Sequence, residues 1–217
     1  MPAIPADTSP SSPLNTQGRF ITFEGLDGCG KSTQMQLCAD ALTQQGFDII
    51  QTCNPGGTEI GKALRQTLLH HPGYVSETCE LLMYVADRAQ HMSEVVLPGL
   101  SQGKIVLCDR HVDSSVAYQG YGRGLDLLEI HTLNHIATQG RYPDLTFLFD
   151  ADPALMRERV TARGAADRLE REQLNFYTRV REGFLHLAQE NPERICVLDA
   201  TQPIEKIHHA VLQALTR

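Results

Sequence analysis

Residues 25–32 read Gly25-Leu26-Asp27-Gly28-Cys29-Gly30-Lys31-Ser32 and satisfy the pattern G-x-x-x-x-G-K-[ST]. Phe20-Ile21-Thr22-Phe23, just before, reads as a short buried strand. Met35, Cys38, Ala39 and Leu42, just after, recur at helical spacing. A strand, a glycine turn and a helix N-terminus in succession make an anion site. The glycines let the backbone curl so that successive N–H groups face phosphate oxygens, and the helix start adds free donors and its positive dipole end. In this pattern Lys31 reaches the β- and γ-phosphates, and the Ser32 hydroxyl, beside Thr33, faces Mg²⁺. A glycine turn that matches by chance is the competing reading, and four fixed positions in the right context argue against it. The stretch implies a bound nucleoside triphosphate.

Strands and helices alternate along the rest of the chain. Residues 47–52 are predicted as the second strand, followed by the turn Asn54-Pro55-Gly56-Gly57-Thr58 with Thr58 as a helix N-cap. Ser76 opens a long helix toward Val96, which Pro98-Gly99 and Gly103 are expected to stop. Ile105-Val106-Leu107-Cys108 is the third strand, ending in Asp109-Arg110, and a glycine-rich segment covers residues 119–124. Residues 127–137 are helical, residues 145–149 form the fourth strand, and Asp152-Pro153 starts a helix that runs to Arg163-Gly164. A helix from about Glu170 to Gln189, a strand over 195–198 and a final helix complete the pattern. Short, continuous apolar strands separated by helices predict an α/β fold: a five-stranded parallel sheet with helices on both faces. Ligands in such folds sit beyond the carboxyl ends of the strands, where Asp27, Asn54, Asp109, Arg110 and Asp199 are expected to gather.

Composition narrows the function. The chain has 217 residues, 41% of them hydrophobic, which suits one domain over 18–217; the formal charge of −7 argues against a broad nucleic-acid surface. Residues 1–17 hold four prolines and several serines without apolar periodicity, and are expected to be a disordered extension rather than a secretory signal. No apolar run approaches the ~18 residues that span a bilayer. The six cysteines show no C-x-x-C pair or zinc spacing, so reduced thiols in a cytoplasmic protein are expected. Cys29 is the exception to inertness: near Lys31 and a helix start, an exposed thiol would be acidic and open to alkylation. The pairs His70-His71 and His208-His209 point different ways on helices and read as solvated surface.

Two further constellations carry chemistry. Asp109 ends an apolar strand, where a P-loop protein places the acid that holds Mg²⁺ through water; a helix N-cap is the alternative. Arg110 beside it offers a bidentate fork to phosphate. Tyr84, Arg88 and His91 share one face of the long helix, and an aromatic ring beside an arginine suits a planar base. Arg157, Arg159, Arg163 and Arg168 flank Gly164-Ala165-Ala166, a small-residue hinge that could close a lid, at about 163–170, over a triphosphate.

The chain from Arg19 onward resembles the bacterial thymidylate kinases. The resemblance rests on Phe23-Glu24-Gly25-Leu26-Asp27-Gly28, Pro55-Gly56-Gly57-Thr58, Ala86-Asp87-Arg88-Ala89-Gln90-His91, Asp109-Arg110-His111, Ala117-Tyr118-Gln119-Gly120 and Asp167-Arg168. It implies an ATP:dTMP phosphotransferase that works with Mg²⁺ held by Ser32 and Asp109, usually as a homodimer, with no nucleic-acid or membrane partner. ATP would lie on residues 25–33 (Gly25, Leu26, Asp27, Gly28, Cys29, Gly30, Lys31, Ser32, Thr33), with Arg159 near adenine. By the same resemblance Asp27 meets the deoxyribose 3′-hydroxyl, Tyr84 stacks on the base and Arg88 reads it. Arg65 and Arg110 hold the monophosphate, Ser114, Ser115 and Gln119 are polar positions on the base side, and Tyr118 lies under the sugar. Lys31, Arg110 and the lid arginine Arg163 would be catalytic. One departure stands out: the family usually reads Arg-Glu before Pro-Gly-Gly-Thr, and this chain reads Cys53-Asn54. The rival readings are a kinase for another nucleoside monophosphate and an ATP-dependent switch.

Overall fold

A computed structural model describes residues 18–162, 167–170 and 172–216. The expected N-terminal extension, and Arg163 to Ala166 of the expected lid, lie outside the described residues. The elements, in chain order, are β1 (Arg19–Gly25), α1 (Lys31–Gln44), β2 (Ile49–Cys53), α2 (Glu59–His70), α3 (Glu77–His91), α4 (Leu97–Ser101), β3 (Ile105–Asp109) and α5 (Val112–Ser115). They continue with α6 (Leu127–Thr138), β4 (Leu145–Asp150), α7 (Pro153–Thr161), α8 (Leu174–Glu190), β5 (Ile195–Asp199) and α9 (Ile204–Leu215). The sheet is parallel throughout, in the order β2-β3-β1-β4-β5. β1 is therefore central, and the glycine turn leaves its carboxyl end in the middle of the sheet, where strand order reverses and ligands sit.

Alternation along the strands explains why both faces are covered. Phe20, Val106 and Cys108 pack with Met92 and Val96. Ile21, Phe23, Ile105 and Leu107 join the larger cluster with Cys38 and Leu42 of α1 and Val211 of α9. Three caps read from sequence are present: Thr58 Oγ1 accepts from Gly61 N, Ser76 Oγ from Cys79 N, and Asp152 Oδ1 from Ala154 N. Among the described residues no helix is long and apolar enough to cross a membrane.

One expectation about a break is corrected. Pro98-Gly99 does not stop the long helix. A π-helical turn over Met92–Val96 follows α3, and Pro98 then sits in the first turn of α4, where its missing N–H costs no intrahelical bond. The glycine-rich segment is also helical, forming a π-helical stretch over Val116–Gly122. Gly122 serves packing there: a Cβ would come within 2.7 Å of the Phe176 ring and 2.9 Å of Val180 on α8.

Candidate active site

The glycine turn has the backbone its sequence requires. Gly30 sits at φ 91°, the left-handed region, directly before the first residue of α1. Lys31 folds back over the turn; its ammonium donates to Gly25 O (3.1 Å) and Leu26 O (2.9 Å) and lies 3.9 Å from Asp27 Oδ1. Ser32 and Thr33 are exposed at the start of α1. Ser32 Oγ donates to Asp109 Oδ2 at 3.3 Å. The other oxygen, Asp109 Oδ1, is buried with no hydrogen-bond partner among the described residues. Such an orphan acid beside a hydroxyl at a phosphate loop fits a hydrated divalent cation better than a helix cap. Arg159, on α7, donates to Gly28 O at 3.4 Å and so lies against the turn from the far side. Cys29 is 2% exposed and packed in the core, which overturns the expectation of a reactive thiol.

Beyond the turn lies a cleft that is open at its mouth. All ten residues expected on the acceptor side line it: Asp27, Asn54, Arg65, Tyr84, Arg88, Arg110, Ser114, Ser115, Tyr118 and Gln119. Pro55, Leu69, Asp167 and Leu169 complete its wall. The two sites meet at Asp27 and Arg110. Arg110 NH2 donates to Asp27 Oδ1 (2.8 Å) and to the Tyr118 hydroxyl (3.1 Å), NH1 donates to Ser114 Oγ (3.2 Å), and the guanidinium sits 5.0 Å from the Tyr118 ring centre. Desolvation pushes Asp27 up, but the Arg110 and Lys31 cations prevail and hold its carboxyl at about 2. Arg110 takes φ 67°, a costly conformation for a non-glycine residue and one that clusters at functional sites. Arg65 is exposed at the mouth, with NH1 donating to Pro55 O at 2.8 Å.

Arg88 is 1% exposed and almost fully engaged. Nε donates to Asn54 Oδ1 (3.1 Å), NH1 to Asn134 Oδ1 (2.5 Å), and NH2 to His111 O (3.1 Å) and Ser115 Oγ (2.9 Å). Burial drags its pKa down, partly offset by Glu24 and Asp87, to about 10. Asn54 Nδ2 donates in turn to Asp87 Oδ2, whose other oxygen accepts from Gly56 N at 3.0 Å. The departure at Asn54 thus puts a neutral amide between a buried carboxylate and a buried guanidinium, and its oxygen and nitrogen each face the partner they suit.

His91 bonds behind the cleft, to Thr52 Oγ1 at 2.7 Å. One expected placement fails. Asp199 is a turn acid that accepts from Thr201 N, Thr201 Oγ1 and Gln202 Nε2, away from the cleft. The structure also brings in groups that sequence reasoning left without a role. Glu24, fully buried on β1, accepts from His111 N (2.7 Å) and Ser114 Oγ (2.6 Å). Burial and Asp113 raise it to about 7 against the opposing pull of Arg110. A lone acid inside an apolar strand was its only signal. Arg168, a candidate lid arginine, is held elsewhere: Nε donates to Leu68 O (2.7 Å) and NH2 to Glu80 Oε2 (2.6 Å).

A phosphate loop at the centre of a parallel sheet, opening on an arginine-rich cleft, defines a P-loop phosphotransferase of the nucleoside monophosphate kinase class. The comparisons specify the family. The profile described as "Thymidylate kinase" matches residues 23–211. A thymidylate kinase of Exiguobacterium sibiricum is 47% identical over 192 residues, covering 88% of this chain and 90% of the relative; that of Trichormus variabilis is 47% identical over 203 residues, covering 92% and 96%. The crystal structure of thymidylate kinase from Ehrlichia chaffeensis superposes with a TM-score of 0.76 at 36% identity, covering 93% of this chain and 99% of that one. The chain belongs to the thymidylate kinase family.

Proposed function

We propose that this chain transfers the γ-phosphoryl group of ATP to dTMP, giving dTDP and ADP, and that the cleft beyond the glycine turn is the dTMP site. The observation that carries this reading is the junction at Asp27 and Arg110, where the cleft meets the phosphate loop. A phosphate oxygen of dTMP attacks the γ-phosphorus while the bond to the β–γ bridging oxygen breaks; the acceptor is already anionic, so no strong base is needed. Catalysis is then positioning and charge neutralisation. Lys31 and Arg110 supply cations on the two sides of the reacting group, and Arg65 supplies one at the mouth. Arg163 carries the lid role on the strength of the family resemblance, and Arg168, the alternative carrier, is committed to Glu80. Ser32 and Asp109 would hold Mg²⁺, which would offset phosphate charge when ATP is bound. Exposed Leu82 on α3 and Leu128 and Ile136 on α6 support pairing of two copies through these helices in a homodimer.

The test incubates the protein with Mg-ATP and each nucleoside or deoxynucleoside monophosphate and follows ADP. dTMP should be the preferred acceptor. ATP hydrolysis without any acceptor preference would favour a nucleotide-driven switch and overturn the reading.

A further inference from the structure

Glu80 has no part in the chemistry above, yet it is the most heavily bonded carboxylate behind the cleft. It lies on α3 and is 1% exposed. Its Oε1 accepts from Gln119 Nε2 (2.9 Å) and Arg123 Nε (3.2 Å); its Oε2 accepts from Arg123 NH2 (3.1 Å) and Arg168 NH2 (2.6 Å). Burial pushes Glu80 up, but the hydrogen bonds from Arg123 and Gln119 outweigh it and keep the carboxyl below its ordinary value. It is therefore ionised and can only accept.

That constraint passes to Gln119, which is 2% exposed and lines the cleft. An amide has one accepting end and one donating end, and Glu80 admits only the donating end. The Gln119 carbonyl is left for the cleft. Arg88, on the same wall, has four of its five N–H groups engaged, which leaves one NH1 donor. An acceptor beside a donor matches a base edge that carries a ring N–H next to a carbonyl, as in thymine. It opposes an edge that carries a ring-nitrogen acceptor next to an amino group, as in cytosine. We propose that Glu80 is a specificity-positioning residue: by accepting only, it locks the Gln119 amide with its carbonyl toward the acceptor base and so selects thymine over cytosine. The proposal rests on the reading of the cleft as the dTMP site.

The atoms predict what Glu80→Gln would do. A glutamine at 80 has one oxygen for two positions. Two arginine N–H groups meet at Oε2, while one arginine N–H and one neutral amide meet at Oε1, so the oxygen goes to the Oε2 position. Its NH₂ then faces Gln119, whose amide must turn over to accept. Arg123 is also held by Glu172 Oε1 (2.6 Å) and Arg168 by Leu68 O, so both stay near their places. The cleft would then show a donor where it showed an acceptor. Glu80→Asp keeps the accepting character and should keep the polarity.

The experiment measures kcat/KM for dTMP and dCMP with Mg-ATP in wild type, Glu80→Gln and Glu80→Asp. The dTMP:dCMP ratio should fall at least about tenfold in Glu80→Gln, because a mispaired buried polar contact discriminates strongly, and should stay within about threefold of wild type in Glu80→Asp. An unchanged ratio in Glu80→Gln, or an equal collapse in both variants, would overturn the proposal. Failure of the underlying reading looks different, since wild type itself would then turn over no dTMP. If Glu80→Gln does not fold, wild type labelled with ¹⁵N-glutamine and saturated with dTMP decides the matter. The Gln119 side-chain amide protons should show NOEs to Arg123 and none to thymine; NOEs to the base would refute the locked amide.

Discussion

Arg88→Ala is the most informative single perturbation of the cleft, because it separates a duty of Arg88 in the fold from the one that the proposed function gives it. The first is structural. Removing the guanidinium leaves Asn54 Oδ1, Asn134 Oδ1 and His111 O without their donor in a buried site. Hydrogen bonds to a charged group are worth about 1.5–3 kcal/mol each, but the variant also escapes the cost of burying the cation, which is visible in the fall of its pKa to about 10. Breaking a buried charged network typically costs about 3–5 kcal/mol after such offsets. For a domain of this size, 1 kcal/mol moves Tm by about 2–4 °C, so a fall of roughly 6–20 °C is expected. The second duty is base reading, which is specific to the acceptor. Steady-state kinetics at a temperature where the variant is folded should show dTMP KM raised at least about tenfold and ATP KM within about twofold of wild type. Thermal unfolding and the two KM values together make the check. A Tm within about 2 °C of wild type would refute the network argument, and equal worsening of both constants would leave Arg88 with a structural role alone.

Three other outcomes follow from particular groups. Glu24 is an acid raised from 4.5 to about 7, so the native state binds more protons than the unfolded chain between these values; its contribution is fully present below 4.5 and is lost as pH rises through about 7. Glu24→Gln should therefore gain on wild type by on the order of 2 kcal/mol between pH 5 and pH 8, seen as a Tm difference that grows with pH; a pH-independent difference would count against a titrating Glu24. Mild iodoacetamide should label exposed Cys79 and spare buried Cys29, with activity retained; peptide mass spectrometry showing early Cys29 modification would show that the loop opens. Arg163→Ala should cut kcat by at least roughly two orders of magnitude with little change in dTMP KM, while Arg168→Ala, which releases a contact to Glu80, should act mainly on stability and acceptor choice; normal kcat in Arg163→Ala would remove the lid arginine from the mechanism.

What the sequence makes legible is what depends on local chain chemistry. The five strands are short apolar runs because both faces of the sheet are covered, so their existence and parallel sense could be read, and Thr58, Ser76 and Asp152 announced their helices because a cap bonds two or three residues ahead. Proline misled because it has two uses: Pro98 enters a new first turn instead of ending a helix.

The same division runs through the site. The phosphate loop is made of backbone geometry over eight consecutive residues, so a pattern can encode it completely. The acceptor cleft is made of side chains that meet from distant positions: Glu24 with Ser114 across 90 residues, Arg88 with Asn134 across 46, Glu80 with Gln119 across 39. No periodicity specifies those partners. Resemblance could collect the residues that line the cleft, but only the structure shows the acids behind them and which way each one turns an amide or a hydroxyl. A loop that binds any triphosphate can be written locally. Discrimination among bases needs donors and acceptors of fixed direction, and direction is set by the second partner of each group, which the fold alone supplies.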